Sequence, residues 1–100
     1  MDTAGFGPSI VIGSCNPILK DDPKVIEMAE YAVKEQGEDH LILNSVADGQ
    51  IVTVFLGGNT YYNLLILAHH PRTFQGFYSA IVLENTSKNV KEVVSFFRLP

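Results

Sequence analysis

The side chains that could form the nucleophile and base of a cysteine hydrolase are the thiol of Cys15 and the imidazoles of His40, His69 and His70. A cysteine hydrolase needs its thiol beside a histidine that a third group orients. Cys15 follows a glycine and a serine, and nothing near it in the sequence positions a histidine. A pair formed only by folding stays open, but the sequence does not support an enzyme.

His69 and His70 are also the residues best suited to bind a metal ion. Adjacent residues of a strand point to opposite faces, and the sequence indicates no third ligand. Gly57-Gly58 lacks the Lys-Ser/Thr pair that follows in a phosphate-binding loop, so it indicates a turn. We therefore expect no metal and no cofactor.

Length and composition indicate one domain. At 100 residues with 46% apolar side chains, the chain is large enough for a single core. Residues 1–9 are mostly small and have no periodicity, so we expect a flexible N-terminal tail there and a single domain over residues 10–100. Residues Ile10 to Ile12 are either a short edge strand or the end of that tail.

Charge and cysteine content narrow the classes of partner. The formal charge is -4 and the seven basic residues do not cluster, which argues against nucleic acid. A single cysteine excludes an internal disulfide. No apolar run reaches the roughly 18 residues that span a bilayer, so a membrane partner is not expected. The compartment stays open between cytoplasmic and secreted.

The clearest element is a helix over residues 22–37. Asp22 can cap its first amides, Pro23 suits the first helical position, and Gly37 is expected to end the helix in the left-handed conformation. Apolar residues recur at three- and four-residue steps, which predicts one buried face. The members of this stripe are Val25, Ile26, Ala29, Ala32 and Val33, with Met28 beside them.

After residue 40 the sequence changes to runs of β-branched, aliphatic and aromatic residues, which predict an antiparallel meander. The first two runs, 41–47 and 50–56, flank Asp48-Gly49, which is either a tight turn or, as we favour, a bulge in one long strand. The other runs are 61–68, 77–84 and 90–97. This order predicts an α+β fold with one helix packed across a sheet of four or five antiparallel strands.

Some strands are apolar on both alternating faces, although a sheet covered by one helix needs only one such face. These stretches are 64–67 and 81–83. A partner or a second copy of the chain would cover the other face. A homodimer formed by strand exchange through the turn at residues 53–60 is therefore a hypothesis.

Strands that alternate in direction bring three segments to one edge of the sheet. The segments are 13–14, 53–60 and 85–89. In the second of them, Val54, Phe55 and Leu56 would form an apolar wedge that fills a cleft by shape. The alternative for each of the three is a core position in a long strand.

Three stretches carry a family resemblance. Residues 22–33 are similar to a Leu-Ala-Arg-Phe-Ala-Val type helix preceded by Asp-Pro. Residues 13–18 resemble Gly-Gly-Trp-x-Pro-Ile, and residues 89–96 resemble Asn-Phe-Lys-Glu-Leu-x-Ser-Phe. These are motifs of the plant cystatins, single-domain inhibitors of papain-like cysteine proteases, and the resemblance extends from about residue 13 to the end. It implies a cystatin-like fold, a helix wrapped by a sheet, without disulfides.

The resemblance also implies a function: reversible, competitive inhibition of a papain-like cysteine protease, whose active-site cleft is occluded by the N-terminal segment and two hairpin loops. The implied protease-binding residues are Gly13, Ser14, Thr53, Val54, Phe55, Leu56, Gly57, Gly58, Thr86 and Ser87. Residues 53–57 keep only the glycine and an apolar middle of the family's Gln-x-Val-x-Gly, and Thr86-Ser87 replace its Pro-Trp. The alternative is a non-inhibitory protein of the same fold that binds another protein or itself.

Overall fold

The computed structural model describes residues 13–37 and 40–100. Within these residues the strands are β1 (Gly13–Pro17), β2 (Ile42–Val54), β3 (Asn59–His69), β4 (Gly76–Asn85) and β5 (Val90–Arg98), and the helix is α1 (Pro23–Gln36). The strands form one sheet in the order β1-β2-β3-β4-β5, and every neighbouring pair is antiparallel. The tail predicted at 1–9 and the segment Ile10 to Ile12 lie outside the described residues.

Helix α1 begins as its sequence predicts and ends differently. Oδ1 of Asp22 accepts a hydrogen bond from the Lys24 amide at 2.8 Å, and Pro23 is the first helical residue. The prediction of a left-handed Gly37 is wrong, because its φ of -74° and ψ of 127° are extended. Glycine is needed there for space, since a Cβ would lie 2.9 Å from the Cβ of Leu41.

Replacing Asp22 by alanine is expected to lower the free energy of unfolding by about 1 kcal/mol, because the Lys24 amide loses its acceptor. Chemical denaturation at pH 7 measures this change. Asp21→Ala is the matched control, since Asp21 is an exposed neighbour of the same charge. Equal losses in both variants would mean that charge, and not the cap, accounts for the effect.

The core lies between α1 and one face of the sheet. Burial along β3 and β4 alternates with the two-residue period of a strand, so every second side chain faces the helix. Of the predicted helix stripe, Ile26 is only half-buried, and Met28 is fully buried beside the others. The largest fully buried side chains are Met28, Ile66, Val25 and Val82.

The opposite face of the sheet carries the intervening residues. Leu65, Leu67 and Ile81 are half-buried there, and an open groove of about 560 Å³ crosses this face beside Asn63 and Ser79. Over the part of the chain that the structure describes, no helix has the length and apolar content that crossing a membrane requires.

One expectation about the fold needs correction. The chain is mostly a long antiparallel sheet with one short helix, because residues 42–54 form a single 13-residue strand with register shifts on both sides of Val46. The continuous strand confirms a bulge, and not a tight turn, near Asp48-Gly49. The predicted cystatin-like fold class is wrong, and the fold is a five-stranded antiparallel sheet with one short helix. The hairpin after β2 closes within the chain by pairing Val54 with Asn59, and the homodimer formed by strand exchange through residues 53–60 stays a prediction.

Candidate functional site

The register of the sheet brings both of its long hairpins and the start of β1 to one end. Gly13 pairs with Val54, Val54 with Asn59, and Asn59 with Asn85 along neighbouring strands. We call this end the tip, and it comprises residues 13–14, 53–60 and 85–90. All ten predicted binding residues lie within it.

The first loop of the tip, residues 55–58, presents two apolar side chains to solvent. Phe55 is 56% exposed and Leu56 is 79% exposed. Val54, by contrast, is half-buried as the last residue of β2, so the wedge consists of Phe55 and Leu56 alone. Gly57 and Gly58 follow with φ of 86° and 73°, a left-handed conformation that favours glycine.

Hydrogen bonds join the first loop to the second. Nδ2 of Asn85 donates to the Gly57 carbonyl at 3.0 Å and to Oδ1 of Asn59 at 2.6 Å, while Oδ1 of Asn85 accepts from the Lys88 amide at 2.8 Å. The amide of Thr86 donates to the Gly58 carbonyl at 3.0 Å. The two loops therefore form one bonded unit whose side-chain donors and acceptors do not ionise.

The predicted residues take different places within the tip. Ser14 pairs with Thr53 at its base, and Ser87 packs against Gly58. Sequence reasoning missed Asn59 and Asn85, which hold the loops together. Asparagines that flank tight turns commonly bond to nearby backbone, and this was the available signal.

Charged residues tie the helix to the sheet just behind the tip. Nζ of Lys24 lies 2.7 Å from Oε2 of Glu84, and this hydrogen bond raises the pKa of Lys24. Nζ of Lys91 lies 3.0 Å from Oε2 of Glu27. That hydrogen bond, with the charge of Lys24, lowers the pKa of Glu27 below its usual 4.5. Residues 53–60 and 85–91 contain no carboxylate, so positive charge predominates at the tip.

A lowered pKa means that Glu27 stabilises the fold when it is ionised. Its contribution is present above the unfolded-state pKa and is lost as the pH falls through the folded-state pKa. We expect Glu27→Gln to lower the melting temperature slightly at pH 7, and this difference to shrink as the pH falls through the folded-state pKa and wild type also loses its charge at this position. Thermal unfolding across this range measures it. Glu30→Gln, an exposed glutamate on the same helix, is the control; a constant difference between Glu27→Gln and wild type would contradict the linkage.

The residues with nucleophile or base chemistry lie far apart. Cys15 pairs with Val52 near the tip, whereas His69 pairs with Ile42 at the other end of β2. Ten residues of strand separate these positions, about 33 Å at the usual rise. Sγ of Cys15 instead lies 3.4 Å from Oε1 of Gln50. A cysteine–histidine pair between them is excluded by distance.

Comparison with known proteins identifies the family of the chain. A family model described as SQAPI, aspartic acid proteinase inhibitor, matches residues 19–99. The chain belongs to the SQAPI family. The solution structure of the squash aspartic acid proteinase inhibitor is 41% identical, with a TM-score of 0.70, and the match covers 94% of this chain and 100% of that chain. No curated protein gives a significant match.

Membership of the SQAPI family corrects the assignment drawn from sequence motifs. The plant cystatin family, the cystatin-like fold class and a papain-like cysteine protease as partner are all wrong. A non-inhibitory module has no support either, because the matched family is one of inhibitors. The motifs that suggested cystatins lie mainly in the helix and β5, whereas the residues of the tip depart from the cystatin pattern.

Proposed function

We propose that this protein inhibits aspartic proteinases by placing its tip in the active-site cleft. The observation that carries the proposal is the exposed apolar pair Phe55 and Leu56 on a loop held by the second hairpin, in a chain of the SQAPI family. Exposed aromatic and aliphatic anchors that become buried on binding commonly dominate the energy of an interface. The squash relative is named as an aspartic acid proteinase inhibitor.

The chemistry of the tip suits a target that works in acid. Aspartic proteinases act through two carboxylates that share a proton, and their clefts are used at low pH. The tip holds its shape with amides, hydroxyls and backbone groups, none of which changes charge in that range. Without a carboxylate of its own, it also brings no negative charge towards the catalytic pair.

In this proposal the protein binds and performs no chemistry, and residues 10–100 act as one domain. Gly13 and Ser14 form the side of the tip next to Thr53, while Thr86 and Ser87 support the first loop from the other side. Gly57 leaves room for close approach, because a Cβ there would have no neighbour nearer than 4.0 Å.

The test is a titration of a pepsin-type aspartic proteinase at about pH 4 with a fluorogenic peptide, and of papain at pH 6.5 in parallel. We expect inhibition of the aspartic proteinase at micromolar protein or below, with competitive kinetics, and unchanged papain activity. Full activity of several pepsin-type enzymes at about 10 µM protein, with the fold intact by circular dichroism, would overturn the proposal. Non-competitive kinetics would place the tip outside the cleft.

A further inference from the structure

The end of the sheet opposite the tip has a surface that proteinase binding does not use. We call it the distal end, and it comprises the loop at residues 70–75 with the adjoining strand ends at 42, 69, 76–77 and 97–98. Residues 42 and 54 mark the two ends of β2, twelve residue steps apart, which is about 40 Å. Both ends can therefore be occupied at the same time.

The loop of the distal end is ordered and presents an aromatic side chain. The Thr73 amide donates to the His70 carbonyl at 3.1 Å, and the Thr73 hydroxyl bonds to His70 backbone atoms. Pro71 adds stiffness between them. Phe74 follows this turn and is 92% exposed, the highest value among the large apolar side chains described. A hydrogen-bonded turn therefore holds the Phe74 side chain in solvent.

Further apolar side chains surround this loop. Phe97, Phe77 and Ile42 are each about half exposed at the neighbouring strand ends. The amide of Leu99 donates to the Phe77 carbonyl at 2.9 Å, which holds the chain after β5 against the start of β4. A rigid apolar patch of this kind on a surface commonly marks an interaction site.

The residues that define the distal end carry cationic and no acidic side chains. Both arginines of the chain, Arg72 and Arg98, lie among them, and the helix end beside them carries Lys34 and Glu35. The Arg98 guanidinium lies 5.9 Å from the ring centre of Tyr78, which fixes its place at the end of β5. A cationic end on a chain of charge -4 favours one orientation towards an anionic surface.

Other titratable groups face this end from neighbouring elements. His40, His69 and His70 lie at or beside this end, and Nδ1 of His69 lies 2.9 Å from Oδ1 of Asn44. Glu35, on the last turn of α1, opposes them on the helix side. The sequence places two more acids at 38 and 39, which lie outside the described residues.

We propose that the distal end docks on an anionic lipid surface, with Phe74 inserted among the lipid headgroups and Arg72 and Arg98 against their phosphates. Charge and shape favour lipid, because two arginines accompany a single protruding aromatic side chain at this end. A protruding aromatic flanked by cations needs only a few side chains to bind a lipid interface.

Docking on a lipid surface requires neither a membrane-spanning segment nor the inhibition of a proteinase. Peripheral docking needs no long apolar run, which is why the hydropathy of the sequence did not predict it. It leaves Phe55 and Leu56 about 40 Å from the lipid and pointing into solution. It also stands whether or not the tip inhibits a proteinase.

Co-sedimentation tests the proposal with vesicles of phosphatidylglycerol and of phosphatidylcholine, at pH 5.5 and about 50 mM salt. We expect wild type to partition onto the anionic vesicles and at least tenfold less onto the neutral ones, with binding lost as salt rises. Phe74→Ser should lower the partition coefficient about tenfold, as expected for losing one inserted aromatic. Arg72→Gln should lower it several-fold. Phe55→Ser, an exposed phenylalanine at the opposite end, should leave it unchanged.

Several outcomes would overturn the proposal. Wild type that stays in the supernatant at millimolar anionic lipid rules out lipid docking. An equal loss in Phe55→Ser and Phe74→Ser would mean that the tip, or non-specific adsorption, causes the binding. Retention on a polyglutamate resin without vesicle binding would assign this surface to an acidic protein instead. The melting temperatures of Phe74→Ser and Arg72→Gln should match wild type, since both side chains are exposed.

Discussion

Replacing Phe55 and Leu56 together by serine is expected to weaken inhibition of an aspartic proteinase about 100-fold or more. Both side chains are exposed in the free protein, so their burial in the cleft is gained on binding. Full burial of a large apolar side chain contributes roughly 1.5–3 kcal/mol, and 1.4 kcal/mol corresponds to a factor of ten in affinity. The inhibition constant of the double variant against a pepsin-type enzyme measures the loss.

The double variant should fold as well as wild type, because neither residue contributes to the core. Phe74→Ser is the matched control, since it removes an exposed phenylalanine about 40 Å away and should leave inhibition unchanged. If the double variant inhibited as strongly as wild type, the tip would not be the surface that enters the cleft. An equal loss in Phe74→Ser would assign the effect to general surface hydrophobicity.

Much of the architecture could be predicted from the sequence because local signals and burial agreed. The Asp22 cap, the Pro23 start and the apolar stripe located α1 to within a residue at each end. Strand runs and turn residues located β3, β4 and β5 to within two residues. The error at Gly37 has a physical cause, since glycine serves both left-handed positions and close approaches, and only tertiary structure shows that Leu41 packs there.

The target class could not be predicted in the same way. Residues 22–33 and 89–96 build the helix and β5, and similar helices and strands serve inhibitors of different enzymes. The cystatin assignment followed these scaffold motifs, although Thr53 to Gly57 departed from the cystatin pattern. In the proposed function, the side chains of the tip carry the information about the target. The role of Asn85 depended on the register of β3 against β4, which no local signal fixes.

Replacing Gly58 by valine is expected to change the shape of the first loop and to weaken inhibition at least tenfold. Gly57→Val is expected to change the loop shape, and inhibition through it, far less. Both glycines have a left-handed φ, so a β-branched residue is strained at either position. Their surroundings differ. A Cβ at Gly58 would lie 2.5 Å from Oγ of Ser87 and 3.2 Å from Oγ1 of Thr86, whereas at Gly57 it would meet nothing nearer than 4.0 Å. Valine at 58 therefore forces the two hairpins apart.

Amide hydrogen exchange can distinguish separation of the two hairpins from the loss of a direct contact with the proteinase. The hydrogen bonds from Asn85 to the Gly57 carbonyl and from Thr86 to the Gly58 carbonyl should break in Gly58→Val, so the Thr86 amide should exchange with solvent faster. Gly57→Val should keep that amide protected even where a bulkier loop reduces binding directly. Ser87→Gly combined with Gly58→Ala should recover inhibition relative to Gly58→Ala alone, because it removes the colliding hydroxyl. A Gly58→Val variant with wild-type exchange and inhibition would show that the second hairpin does not set the shape of the first, leaving Phe55 and Leu56 to be positioned by β2 and β3 alone.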